Sequence, residues 1–86
     1  MTKLSRKKIE STPWAKAFKL DSPVSYEQGI RYALEPELQV ILDHNNESGD
    51  WVWAIRVFDS PEFWMDVRPT KKDAIALCRE MGWKIQ

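Results

Sequence analysis

Apolar and polar residues alternate through the middle of the chain, which is the pattern of β-strands that present two different faces. The alternation is clearest in Glu37–Asp43 and continues in Trp51–Phe58 and Glu62–Val67. Turn-forming residues fill His44–Asp50 and Asp59–Pro61 between these segments. The pattern therefore predicts three consecutive antiparallel strands joined by short turns.

The periodicity becomes that of a helix towards the C-terminus. Apolar side chains then recur at positions i, i+3, i+4 and i+7, and they belong to Ala74, Leu77, Cys78 and Met81. Thr70 is a suitable N-cap for this helix, and Gly82 suits the left-handed position that follows the last helical turn. We expect Trp83 to fold back onto the helix end.

The first third of the chain carries weaker signals. Thr12-Pro13 resembles a helix start, and Ser25–Gln28 matches a capping box at the start of a helix that Pro36 ends. In order, the elements predict an α+β fold with an N-terminal helix, a three-stranded antiparallel sheet, and a C-terminal helix packed on one sheet face. We expect residues 1–11 to form a basic, disordered arm and residues 12–86 to form a single domain.

Strand parity divides the apolar side chains between two faces of the predicted sheet. The residues assigned to the core beneath the C-terminal helix are Leu38, Val40, Leu42, Trp51, Trp53, Ile55, Phe63 and Met65. The other face is too apolar for a fully solvated one, so either the segment with Trp14, Phe18 and Leu20 covers it or a partner does. The candidate partner-binding residues on that side are Trp64, Arg56, Phe58, Val52 and Ile41.

Charge is unevenly distributed along a chain whose 86 residues have a net charge of zero. Residues 1–20 contain six lysines and arginines and one acid, whereas residues 21–86 contain seven basic and twelve acidic residues. A basic arm on an acidic body is compatible with contacts to nucleic acid, and the alternative is a solvated, frayed terminus.

Residues 50–81 resemble the DNA-binding domains of the plant ethylene-response type and the arm-binding domains of phage integrases. The motif positions are Trp51-Val52 with Ile55-Arg56, then Trp64-Met65-Asp66, and finally Thr70 with Asp73-Ala74. The resemblance implies a three-stranded sheet with a helix, and it implies that Arg56 and Trp64 face DNA. The segment Glu37–Asp43 lacks the arginines of that family's first strand, and Asp66 replaces its glycine. Lys71-Lys72 is similar to the phosphate-binding pair of double-stranded-RNA-binding domains.

Catalytic chemistry finds little support in the sequence. His44 is the single histidine, Cys78 the single cysteine, and no cluster has metal-ligand spacing. We therefore expect a protein that is not an enzyme and has no catalytic, cofactor-binding or metal-binding residues. The first residues contain charges but no apolar run of signal-peptide length, and no window is apolar enough to span a membrane. We therefore expect a cytoplasmic protein without membrane contact.

Two classes of function remain open. The first is a small interaction protein that regulates or inhibits a larger protein partner, for which a compact inhibitor of phage or mobile-element type is a fitting example. The second is a nucleic-acid-binding domain, and its candidate residues are Arg6, Lys7, Lys8, Arg56, Trp64, Lys71 and Lys72. A homodimer with Trp64 at its two-fold axis is a further option.

Overall fold

The computed structural model describes residues 5–86, and of Glu47 it describes the main chain alone. The helices are α1 (Arg6–Glu10), α2 (Pro13–Asp21), α3 (Tyr26–Ala33) and α4 (Lys71–Met81), with a 3-10 turn at Pro23–Ser25. The strands are β1 (Gln39–Glu47), β2 (Asp50–Val57), β3 (Trp64–Arg68) and β4 (Lys84–Ile85). These elements confirm the predicted α+β class. They divide into two compact units, Met1–Pro36 and Glu37–Gln86.

The second unit contains a four-stranded mixed sheet with the order β3-β2-β1-β4. The prediction of three antiparallel strands is wrong in this detail, because β4 adds a strand parallel to β1. Two residues are too few to show a periodic pattern in the sequence. The position of β4 is set instead by the way the chain leaves the end of α4. Gly82 has a φ of 77°, Trp83 N–H donates to Cys78 O at 2.8 Å, and Lys84 N–H donates to Leu38 O at 2.7 Å.

Helix α4 packs on the sheet through the predicted stripe, whose four residues are all buried. Ile55 of β2 and Met65 of β3 are fully buried within the same unit. Thr70 accepts a hydrogen bond from Asp73 N–H at 3.1 Å, which confirms it as the N-cap. Sequence periodicity thus located this helix and its buried side correctly.

The β1–β2 hairpin is longer than the sequence predicts. Only Ser48 and Gly49 lie outside the strands, where a turn over His44–Asp50 was expected. Their φ angles of 51° and 90° match the tight two-residue turns that suit the twist of hairpins. The polar residues before the turn remain in β1 because they pair with β2, and His44 comes to lie opposite Trp53.

A β-bulge changes the side-chain parity of β3. Ile55 pairs with Asp66, but the next residue, Arg56, pairs with Trp64, which leaves Met65 as the extra residue. Trp64 and Asp66 therefore belong to opposite faces, although strict alternation predicts one face for both. A bulge has no sequence signature in this strand, so parity alone could not reveal it.

The first unit is helical in its described part. Thr12 Oγ1 accepts a hydrogen bond from Ala15 N–H at 3.2 Å, which confirms the predicted helix start. The predicted capping box is wrong, because Ser25 ends the 3-10 turn with φ −93° and ψ 1° and its side chain caps no N–H of the described residues.

A short helix occupies most of the described part of the predicted basic arm. Ser5 Oγ accepts from Lys8 N–H at 3.2 Å, and Ile9 is fully buried. Residues 5–11 therefore differ from the expected disordered segment, since an apolar side chain anchors them. Residues 1–4 of the predicted arm lie outside the described residues.

Candidate functional site

The strand register sorts the side chains of the sheet into two faces. Lys71 of α4 lies over the Trp53 ring, with Nζ 5.4 Å from the ring centroid, so we call the face of Trp53 the helix face. Directly paired residues share a face, which places His44 and Trp51 on the helix face as well. The opposite face contains Ile41, Asp43, Val52, Ala54, Arg56 and Trp64.

Trp51 is the most exposed of the tryptophans, with 61 % of its surface accessible. The prediction that it belongs to the core is wrong, although its predicted face is right. Lys71, the first residue of α4, lies over Trp53, and Trp51 is two residues nearer the hairpin turn. The hairpin thus extends beyond the helix, which leaves Trp51 uncovered.

Trp51, His44 and Trp53 form a contiguous group that we call the aromatic row. The rings of His44 and Trp53 are stacked, with centroids 4.6 Å apart and an interplanar angle of 8°. His44 also lies 4.8 Å from Trp51 at an angle of 46°. These contacts and the Lys71 ammonium group hold the rings in place. The exposed apolar surface would therefore lose little side-chain conformational freedom when it binds another molecule.

Charged and polar groups surround the aromatic row. Arg68, which is paired with Trp53 across the strands, forms a 3.0 Å ion pair with Asp66. Asn46, which is paired with Trp51, is exposed near the turn. An aromatic centre with a polar rim is the usual composition of a protein-binding surface.

The predicted partner-binding residues of the opposite face surround Arg56. Its Nη1 donates to Asp43 Oδ2 at 2.8 Å, its Nε donates to Pro61 O at 2.6 Å, and its guanidinium lies 5.7 Å from the Trp64 ring centroid. Ile41 pairs with Arg56 across the strands.

The remaining predicted residues of the opposite face differ in exposure. Val52 is half-buried, as are Ile41 and Trp64, whereas Phe58 lies beyond the end of β2 and is 45 % exposed. The structure thus brings most of the predicted site together around an arginine whose Nε and Nη1 are already hydrogen-bonded within the unit.

The candidate nucleic-acid residues do not form one surface within the second unit. Lys71 and Lys72 begin α4 on the helix face, whereas Arg56 and Trp64 lie on the opposite face. A single strand or duplex that contacted one pair would therefore have the sheet between it and the other pair.

In the first unit Arg6 is engaged by two carboxylates. Its Nη1 and Nη2 donate to Glu27 at 3.2 and 2.5 Å, and its Nε donates to Glu10 at 3.0 Å. The hydrogen bond from Arg6 lowers the pKa of Glu27, and the two carboxylates raise the pKa of Arg6. Lys7 and Lys8 are exposed, so Arg6 is the least available cation of the three.

The nucleophilic and ligating groups of the described residues are few. Burial, together with the negative charge of Asp66, raises the pKa of the Cys78 thiol to about 11, which makes its thiolate scarce at neutral pH. Residues 5–86 contain no group of three side chains placed to hold a metal ion. None of the helices in this range is long and apolar enough to cross a membrane.

Comparison of the chain with protein-family models, with curated proteins and with solved structures finds no match. The resemblance to DNA-binding domains therefore rests on the quoted motif residues alone. Sequence reasoning missed the aromatic row because it ended the first strand before His44. His44, Asn45 and Asn46 are all polar, so no alternation of apolar and polar residues marks the continuation of this strand.

Proposed function

We propose that this chain is a non-enzymatic interaction protein that binds a larger protein and regulates or inhibits it. The exposed Trp51, held against His44 beside the stacked Trp53, is the observation that carries the proposal. Tryptophan is the side chain most enriched among the residues that dominate binding energy at protein interfaces. A ring that is already held in place also loses little conformational entropy when a partner covers it.

The charge of the second unit indicates the chemistry of the partner. Residues 37–86 contain six basic and nine acidic residues, which gives this unit a net charge of −3. A partner with a basic surface around an apolar pocket would complement both the charge and the aromatic row. Such a partner is often a nucleic-acid-binding protein, and an acidic protein on its basic surface would inhibit it by competition.

Affinity capture with matched variants tests this proposal. The full chain is immobilised and exposed to an extract of the cells that encode it, in parallel with Trp51→Ala and Trp64→Ala. We expect a protein that wild type and Trp64→Ala retain and that Trp51→Ala loses, with at least about a tenfold weaker Kd for Trp51→Ala when both components are pure. Circular dichroism of each variant controls for folding. Equal binding by Trp51→Ala would contradict the proposed surface.

Nucleic-acid binding is a second candidate, and one observation favours it. Lys71 lies over Trp53 next to the exposed Trp51, and cations beside exposed rings are typical of surfaces on which single-stranded bases stack. Fluorescence anisotropy with labelled single-stranded DNA, RNA and duplex DNA at low salt separates the two candidates. The interaction protein should show no binding, whereas salt-sensitive binding that Trp51→Ala abolishes would replace the first proposal with the second.

A further inference from the structure

The edge of β1 is open over most of its length. β4 pairs only with Gln39 and Val40, and within residues 5–86 no strand pairs with residues 42–46 on that side. Lys84 N–H donates to Leu38 O and Gln86 N–H to Val40 O, whereas Gln39 O accepts from Phe58 N–H on the β2 side. Because the main-chain groups of a strand alternate in direction, those of Leu42, His44 and Asn46 point away from β2.

The two edges of the sheet differ in how they are protected against pairing. β3, at the other edge, is five residues long and contains the bulge. Charges and bulges are the features that keep an edge strand from pairing with another chain. β1, by contrast, pairs with β2 in an unbroken register from Val40 to Glu47 without a bulge. Its outward-bonding residues, Leu42, His44 and Asn46, include no acidic residue, lysine or arginine, and His44 and Asn46 are also exposed.

We infer that a second copy of this chain pairs with this edge, so that the two β1 strands run antiparallel about a two-fold axis at His44. In that register Leu42 of each copy lies opposite Asn46 of the other, and His44 lies opposite His44. Every outward main-chain group of residues 42–46 then meets its complement, because the same segment is open in both copies. Asp43 lies opposite Asn45, so no like charges face each other.

The limits of the open segment fit this register. β4 closes the edge at Val40, and the turn at Ser48 takes the chain away from it at the other end. Two such segments overlap completely only when they are centred on His44. If the register of the two β1 strands were shifted by one residue pair, each β1 strand would overlap β4 of one of the copies.

The aromatic row continues across the proposed axis. His44 and Trp53 stack at 4.6 Å, which is close to the 4.7–4.9 Å spacing between neighbouring strands. A second His44 on the next strand would extend the stack in the order Trp53, His44, His44 and Trp53. The stack would add contact area to the main-chain hydrogen bonds. A strand pair of this length buries less surface area than a standard protein interface, so we expect a Kd above about 10 µM for the dimer.

Sedimentation of the purified full chain across a concentration series tests the inference without any partner. The comparison is between wild type, His44→Pro and His44→Thr. Proline removes the outward N–H of His44 but leaves the β1–β2 ladder intact, since residue 44 does not donate to β2. Threonine also removes the imidazole but keeps the N–H. We expect wild type and His44→Thr to dimerise as concentration rises, and His44→Pro to stay monomeric.

Amide hydrogen exchange of the wild type provides a readout that does not depend on a folded proline variant. The N–H groups of Leu42, His44 and Asn46 should exchange at least about tenfold more slowly when the dimer is populated. A monomer at every concentration would overturn the inference. So would dimerisation of His44→Pro, or a dimer in which these three amides remain fast. The proposed protein interface at Trp51 would stand in each of these cases.

Discussion

The tryptophans of this protein occupy three kinds of environment. Trp14 and Trp83 are buried, with 3 % and 5 % of their surfaces accessible, while Trp53 and Trp64 are half-buried. Trp51 alone is largely exposed, although it shares the helix face with Trp53. Strand parity decides which face a residue is on, but the length of the covering helix decides whether that residue is buried. The length of the covering helix cannot be read from the periodicity of a strand.

At Gly29 of α3 the absence of a side chain makes room for a ring. A Cβ at this position would lie 3.1 and 3.2 Å from two carbons of the Phe18 ring on α2. Alanine is favoured over glycine in a helix interior by about 1 kcal/mol, and this contact opposes that gain. We expect Gly29→Ala to be more favourable by roughly 0.5–1 kcal/mol in a Phe18→Ala background than in the wild type.

A double-mutant cycle by chemical denaturation measures the coupling between these positions. Ala17→Gly, on an exposed position of α2, serves as a control for simple helix propensity. An identical effect of Gly29→Ala in both backgrounds would show that Phe18 does not limit this site.

Among the elements, α4 followed most directly from the sequence. Its N-cap, its buried stripe and its terminal glycine each have a local signature, and all of them are confirmed. The features that were missed depend on pairing between strands. The bulge at Met65, the two-residue β4 and the extension of β1 past His44 all arise from contacts between segments distant in sequence. Local patterns do not encode such contacts.

The packing of α4 against the sheet has a consequence for the pH dependence of stability. The pKa of the Cys78 thiol is raised from 9.0 to about 11, first by burial and then by the charge of Asp66. A group whose pKa is higher in the folded protein than in the unfolded chain contributes stability that is fully present below the unfolded pKa. That stability is lost as the pH rises through the folded pKa. We therefore expect the free energy of unfolding to fall between pH 9.0 and about 11 for this reason.

Cys78→Ala isolates that contribution from other groups that titrate in the same range. At neutral pH the variant should be less stable by about 1 kcal/mol, because a buried sulfur atom is lost. The difference from wild type should then shrink as pH rises towards 11. Urea denaturation at several pH values measures it, and parallel profiles for the two proteins would refute a buried neutral thiol.

On the scale of the whole molecule the two units carry opposite charge. Residues 1–36 contain seven basic and four acidic residues, against six and nine in residues 37–86. Charge asymmetry is visible in the sequence and led to the idea of a nucleic-acid-binding arm. The structure adds that Arg6 is already paired with Glu10 and Glu27. The proposed interaction surface instead lies in the acidic unit.

The candidate site was predictable only in part, because some of its contacts join segments that are distant in sequence. Alternation correctly placed Arg56 and Trp64 together on one face, and the structure confirms that they lie side by side. It could not show that Arg56 donates to Asp43 and Pro61, because both contacts depend on the three-dimensional path of the chain. The exposure of the aromatic row around Trp51 follows from the length of the hairpin relative to α4, and the length of the hairpin was not accessible from the pattern.

Acrylamide quenching of tryptophan fluorescence tests most directly the claim that Trp51 is the exposed anchor of this protein. The comparison uses wild type, Trp51→Phe and Trp64→Phe at a concentration low enough to keep the chain monomeric. We predict that Trp51→Phe lowers the quenching slope most and shifts the remaining emission to shorter wavelength, because it removes the indole with 61 % of its surface accessible. A larger loss of quenching in Trp64→Phe would contradict the account, because the opposite face would then carry the accessible tryptophan.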